Sequence, residues 1–388
     1  MQMADLCGAP LGPVSRATRL RRDVVPTVGA VGAAASPPTG RRRRALVGAA
    51  IAAALACLAA ACGGGAAPRS GSGDDTADGD AAVVVRFALA PTATWNWLVD
   101  SGELEAWENR HGVRVEASNP YAPFTAFVSG HADIVLVPAL DVPSFADSGE
   151  RTPVVVGKHS TDRSVVLTRR TTQADDLSDV VEERIAVRNE LGSTLLWGLI
   201  AAQAHSLELR DGSGDFDFVV SSFDVADVVE RGEAAACICF PDQSVAELST
   251  GMLHTLYGGQ SAGQMYTHLA GLGDAEPLDE VLVAEAGWLA ENPGLADAFL
   301  DLWQRGLDAW NRDPRSVIGQ YPQMFSVESD EQIAWLADYV SGRNWAAESV
   351  RITEAERDQY LRSLGRLRDL GLIDADLGDP GVAVEGRR

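Results

Sequence analysis

Short apolar runs recur from Val83 onward, most of them closed by a glycine or proline turn and followed by a helical segment. Residues 83–89 read as a buried strand, and Pro91-Thr92-Ala93-Thr94 turns into a helix that starts near Trp95. Gly102 interrupts that helix, Gly112 ends it, and residues 113–115 form a second strand. Residues 124–128 read as helical, and 134–137 as a third strand closed by Pro138. Residues 154–156 and 164–167 are further strands. A second set begins after Arg169-Arg170: strand 185–187, a turn at 191–194 with a good N-cap, an apolar helix over 195–204, strand 216–220, helix 224–231 and strand 237–240. Segments 252–257 and 281–283 follow. This alternation predicts an α/β fold. The last third reads as helical. Leu289, Leu295, Phe299, Leu302, Trp303 and Leu307 recur at helical spacing over 288–311. Residues 329–332 and 353–356 have the form of capping boxes.

The N-terminal part has a different character. Arg41 to Arg44 form a basic cluster, and an uncharged Ala/Leu-rich run spans 45–61. A positive segment before a short apolar one is the pattern of an export signal. The run is shorter than the ~20 residues of a usual membrane-spanning helix. It ends in Ala59-Ala60-Ala61-Cys62, which resembles a bacterial lipobox. On that resemblance Cys62 carries a lipid, although Ala59 stands where lipoboxes prefer Leu. Arg43-Arg44-Ala45-Leu46 weakly resembles a twin-arginine signal, which a run of arginines matches by chance. Residues 1–40 have no apolar periodicity and read as a start placed too early or a disordered N-terminus. Residues 41–61 are the expected signal peptide. Residues 62–80, rich in Gly, Ser, Ala and Asp, are the expected flexible tether, which keeps a folded body close to a membrane partner.

Charge narrows the partners. The chain carries 32 basic and 55 acidic residues. Removal of residues 1–61, with eight arginines and two acids, leaves 24 and 53, a net charge of −29. Such a surface repels nucleic acid, so none is expected as a partner. About 300 residues remain to fold, enough for a substantial core. Of the five cysteines, Cys7 and Cys57 precede the cleavage point. Cys237 and Cys239 sit two apart in a strand, with both thiols on one face. They read as two small buried hydrophobes, with a disulfide as the alternative.

Four segments together resemble the binding proteins of ABC importers, in the nitrate/sulfonate/taurine and pyrimidine-precursor branch (periplasmic binding protein type II). They are Asp100-Ser101-Gly102-Glu103-Leu104 running on to His111-Gly112-Val113-Arg114-Val115, Phe127-Val128-Ser129-Gly130-His131-Ala132-Asp133-Ile134, Arg231-Gly232-Glu233-Ala234-Ala235-Ala236, and Trp288-Leu289-Ala290-Glu291-Asn292-Pro293. Ala235 replaces the aspartate usual at its step. The resemblance covers roughly 83–345. It implies two α/β lobes, a hinge with two chain crossings and a ligand cleft between the lobes. Lobe 1 is then 81–168 plus 277–388, with the C-terminal helices, and lobe 2 is 169–276. Ligand is expected at the C-terminal ends of strands, as in other open α/β sheets.

Two helix N-termini are expected to face that cleft, at Thr92 and Thr94 and at Gly192, Ser193 and Thr194. Free N–H groups and the helix dipole suit a carboxylate, sulfonate or phosphate there, while ordinary capping by Thr94 and Ser193 is the bland alternative. Trp95 is preferred over Trp97 as a cleft aromatic, with core packing as its alternative. Tyr121 follows Asn119-Pro120 in a loop where its ring can stack on ligand. Ser160 lies in a strand-to-strand loop. Phe223 and Asp224 open a helix at the cleft, where Asp224 is also a natural cap. Phe240 and Asp242 end the cysteine strand, and Asp242 either binds a ligand amine or turns the chain with Pro241.

No enzyme signature appears. The six histidines show no metal spacing, and there is no Gly-x-Ser-x-Gly turn or phosphate-binding lysine loop. Cys237-Ile238-Cys239 is far shorter than the cysteine-rich iron motif of the family's pyrimidine-precursor synthases. No enzyme activity, cofactor or metal is therefore expected. The expected protein is a monomeric extracytoplasmic solute-binding lipoprotein, anchored to the cell membrane through Cys62. It captures a small organic ligand (a sulfonate, carboxylate or heteroaromatic) or an oxyanion and delivers it to an ABC permease and ATPase complex. A tethered ligand sensor without a transport role is the alternative.

Overall fold

The structure, a computed structural model, describes residues 83–120, 123–146, 151–221, 224–271, 275–343 and 345–386. The expected signal peptide, Cys62, the tether, Tyr121 and Phe223 lie outside the described residues.

Among the described residues, eleven strands form two sheets. The first contains β1 (Val83–Ala88), β2 (Val113–Ser118), β3 (Ile134–Pro138), β4 (Pro153–Lys158), β10 (Glu280–Glu285) and β11 (Gly381–Val382), in the order β11-β4-β10-β3-β1-β2. The second contains β5 (Val165–Arg169), β6 (Arg184–Val187), β7 (Asp217–Val220), β8 (Ala236–Cys239) and β9 (Leu253–Thr255), in the order β7-β6-β8-β5-β9. β1 runs parallel to β2 and β3, and β6 runs parallel to β7 and β8. In each sheet one strand that adjoins a crossing runs antiparallel to both neighbours: β10 in the first sheet and β5 in the second.

These two strands explain the hinge. The chain leaves the first sheet after β4 and enters the second at β5. It returns through the helix Ala262–Ala270 to β10. The two crossing segments pair at Thr161 and Leu278, and Ser160 pairs with Ala346. Ser160 therefore belongs to a crossing between sheets, a correction to the strand-to-strand loop expected within one lobe.

Both faces of the central strands are covered, which is why they read as unbroken apolar runs. On one face of the first sheet, Phe87 sits among Trp95, Phe299 and Trp303, with ring centroids 5.3, 5.1 and 5.6 Å away. The helix Leu295–Arg312 supplies the last two rings. It begins after Pro293-Gly294, so the helical reading of 288–311 resolves into Ala286–Glu291 and Leu295–Arg312. On the other face, Ala88, Val135 and Val155 join a buried cluster that continues through Trp197 and Ile200 of the second lobe. The C-terminal helix Glu354–Asp369 completes that cluster with Tyr360, Leu364 and Leu367. Its Tyr360 Oη donates to the Ala139 carbonyl of the first lobe at 2.6 Å, and Ser363 reaches Tyr266 of the second. The helix thus touches both lobes.

Cys237 and Cys239 are bonded to each other as a disulfide and are fully or almost fully buried. This corrects their reading as two separate hydrophobes. Alternate residues of a strand share a face, and here their Cα atoms lie 5.7 Å apart, within reach of one S–S bond. No described helix is long and apolar enough to cross a membrane.

Candidate functional site

A cavity of about 320 Å³ opens between the two sheets. The first lobe lines it with Thr92, Ala93 and Thr94, with Pro138 and Asp141, and with Trp310 and Phe325. The second contributes Gly192, Ser193 and Thr194, with Ile238 and Phe240. The crossing segments add His159, Ser160, Arg163, Asp279 and Glu280. The walls are strand ends and helix starts, because the loops that leave parallel strands at their C-terminal ends all open on the same edge.

Local sequence builds each wall. Thr92 takes the extended N-cap conformation, and its Oγ1 accepts from the Trp95 N–H at 3.1 Å. The helix Leu295–Arg312 lies close against this turn at Gly306, where a Cβ would stand 2.6 Å from Thr94 Cγ2. Gly192 adopts φ 56°, which a side chain disfavours. Its N–H donates to Asp141 Oδ1 across the cleft at 2.9 Å. Ser193 Oγ donates to Asp162 Oδ2 at 2.7 Å, and Thr194 Oγ1 donates to the Asn189 carbonyl at 2.9 Å.

Carboxylates of the protein thus take up donors at the start of the helix Ser193–Ile200, where an anionic ligand was expected. Burial pushes the Asp141 carboxyl up to about 6, against the opposing hydrogen bond from Gly192. Behind the wall, Asp162 accepts from the N–H and hydroxyl of Ser164 as well as from Ser193. Burial raises its pKa, and those hydrogen bonds work the other way.

Arg163 is the centre of the cluster. Its Nη1 donates to Asp279 Oδ2 at 2.7 Å, and Nε and Nη2 each donate to Asp242 at 3.3 Å. Its guanidinium lies 4.8 Å from the Phe240 ring centre and 5.8 Å from that of Trp345. Burial disfavours the charge, but Asp242, Asp279 and Glu280 outweigh it and hold the Arg163 pKa above its ordinary value. Burial raises Asp279 well above the carboxylate range; Asp162 adds to that and Arg163 opposes it. Glu280 is also raised by burial, against Arg163. His159 is pushed down to about 3 by burial, with Arg163 adding to the effect. It is therefore neutral, in keeping with an Nδ1 that accepts from Trp303 Nε1 at 3.3 Å.

Eight residues singled out in the sequence line the cavity together: Thr92, Thr94, Ser160, Gly192, Ser193, Thr194, Phe240 and Asp242. Asp242 is spent on Arg163. Trp95 is not in the lining. Its ring packs between Phe87 and Trp303 in the core, the alternative open to it in the sequence. Asp224 caps the helix Val225–Glu230 by accepting from Ala226 N–H at 2.9 Å, and it lines a neighbouring depression with Arg188 and Cys239. The sequence reading passed over Asp141, Arg163, Asp279, Glu280, Trp310, Phe325 and Trp345. A charged run such as His159-Ser160-Thr161-Asp162-Arg163, placed between two apolar strands, was the available signal for Arg163.

No protein-family model matches the chain. No curated protein matches it in sequence. Solved structures do match in shape. The periplasmic aliphatic sulphonate binding protein SsuA of Escherichia coli superposes with a TM-score of 0.59 at 15% identity, over 75% of this chain and 94% of that one. The alkanesulfonate-binding protein SsuA of Xanthomonas axonopodis pv. citri, bound to MOPS, gives 0.58 at 15%, over 76% and 95%. A Candida albicans protein described as having the generic periplasmic binding protein fold gives 0.50 at 12%, over 78% and 98%. At these identities the likeness concerns the fold, and with the two sheets, the paired crossings and the cleft between them it gives this chain the two-lobed periplasmic-binding-protein fold.

Proposed function

We propose that the chain is an extracytoplasmic solute-binding protein of an ABC importer, with the cavity between its lobes as the ligand site. One observation carries this reading. Thr92 and Thr94 of the first lobe and Gly192–Thr194 with Phe240 of the second line one cavity at the strand ends. A ligand that touches both lobes binds their closed arrangement better than an open one and shifts the population toward it. The closed form then docks on a permease driven by an ATPase. A lipid on Cys62 and the tether 62–80 hold the protein at the membrane and raise its local concentration near that permease. The similar proteins named above for sulfonate binding support the solute-binding role. The aromatic lining from Trp310, Phe325 and Trp345 favours an organic ligand over a bare inorganic ion.

The test is a thermal-shift screen of the full-length chain against sulfonates, carboxylates, amines, amino acids and heteroaromatic compounds. A ligand at ~100 times its dissociation constant stabilises by about 2.7 kcal/mol. One compound with a saturable shift of that size supports the reading. A folded protein that responds to none contradicts it.

A further inference from the structure

The charge balance of the cavity bears on what the ligand is, given that the cleft is a ligand site as proposed above. Four acids line it: Asp141, Asp242, Asp279 and Glu280. Inside, one arginine stands against them, and Arg163 is already divided between Asp242 and Asp279. His159 is 3.9 Å from Glu280 but uncharged. Lys158 is paired with Glu356, away from the cavity. Arg188 is exposed at the mouth. Among the described residues no cationic side chain pairs with Asp141, whose recorded side-chain partner is the Gly192 N–H.

Asp141 and Glu280 are close in the fold. Glu280 opens β10 opposite Pro138 at the end of β3, and Asp141 follows Pro138 by three residues. The same lining is aromatic. Trp310 and Phe325 pack with ring centres 5.4 Å apart, and Trp345 lies beside Arg163. A carboxylate with no cation of its own, Asp141, with Glu280 shared with Arg163 nearby and indole and phenyl rings in the same lining, is what an organic ammonium ion needs, since acid and ring both attract positive charge. At the start of the helix Ser193–Ile200 an anion has to displace Asp141 from Gly192 and then face the remaining carboxylates.

We propose that the cleft takes an organic cation, with its ammonium group against Asp141 and Glu280 and its apolar body against Trp310, Phe325 and Trp345. The closing of the lobes then buries the ligand's charge together with the two acids that balance it.

The experiment uses probes that share one phenyl ring and differ in charge: benzylammonium, benzyltrimethylammonium, benzyl alcohol and benzenesulfonate. Each is titrated calorimetrically into the full-length protein, wild type, Asp141→Asn and Glu280→Gln. The expected result is that a cation binds at least about tenfold more tightly than benzyl alcohol. Each substitution then weakens cation binding about tenfold while benzyl alcohol binding, which reports an intact cavity, stays unchanged. Tighter binding of benzenesulfonate than of either cation overturns the proposal and leaves the solute-binding reading standing. Loss of benzyl alcohol and cation binding together in both variants also overturns it, because the acids then serve the fold and not the charge. No binding of any probe at millimolar concentration overturns the proposal and leaves the solute-binding reading to its own screen.

Discussion

Asp141 of the first lobe accepts a hydrogen bond from the Gly192 N–H of the second, 2.9 Å away. The contact bridges the two lobes and places a carboxylate at the start of the helix Ser193–Ile200.

That contact is predicted to depend on pH. The Asp141 carboxyl is raised from its usual value to about 6 in the folded protein. A raised acid stabilises the fold fully below its unfolded value, near 4, and that contribution disappears as pH rises through about 6. Asp141→Asn keeps an oxygen acceptor for Gly192 and carries no charge. The variant is predicted to equal the wild type near pH 4 and to exceed it above pH 7, by on the order of 2 kcal/mol. Calorimetric melting of both proteins across that range checks it.

Arg163 is predicted to be indispensable to the hinge. Arg163→Met leaves Asp242 and Asp279 buried without their cation. Removal of one partner from a buried pair costs about 3–5 kcal/mol. Urea melts of the variant and the wild type measure it.

Gly263 sits where a backbone comes too close for a side chain. A Cβ there would stand 2.5 Å from the carbonyl oxygen of Asp162 in the crossing segment. Because that neighbour is backbone, Gly263→Ala has to shift the helix Ala262–Ala270 away from the hinge. The predicted cost is about 1–3 kcal/mol, with weakened ligand binding. A paired melt and titration separates the two effects.

Trp303 is fully buried, packed on Phe87 and His159, and donates to His159 Nδ1. Trp303→Ala is predicted to cost about 3–5 kcal/mol by opening a void beneath the first sheet. Denaturant unfolding monitored by circular dichroism checks the figure.

The strands were legible because they are covered on both faces. An unbroken apolar run such as Ile134–Pro138 carries its own signal. The caps were legible for a local reason. At Thr353 and Glu356 the side chains exchange hydrogen bonds within one turn. At Ser329 half of the expected box forms, since Gln332 Oε1 accepts from Glu328 N–H and not from Ser329. The cleft was legible where it is made of helix starts, as at Thr92 and Ser193. Its charged floor was not. Arg163 meets Asp242 and Asp279 only because β5 and β10 leave the two crossings side by side, and the partners lie 79 and 116 residues away. No spacing rule within one element reaches that far. Trp95 was misplaced because residues two apart on a helix face different ways, and local sequence does not say which of those faces the sheet covers; Trp95 is on the covered one, against Phe87 and Trp303.

The central claim is that the cavity between the lobes holds a solute, and the small molecules carried by the protein test it most directly. Full-length wild type and Gln243→Trp, a substitution that puts an indole into the cavity lining, are purified from cells that make the protein. Each is denatured, and the released compounds are compared by mass spectrometry. The account predicts one compound released by the wild type and missing from Gln243→Trp. The same compound from both proteins, or none from the wild type, would contradict it.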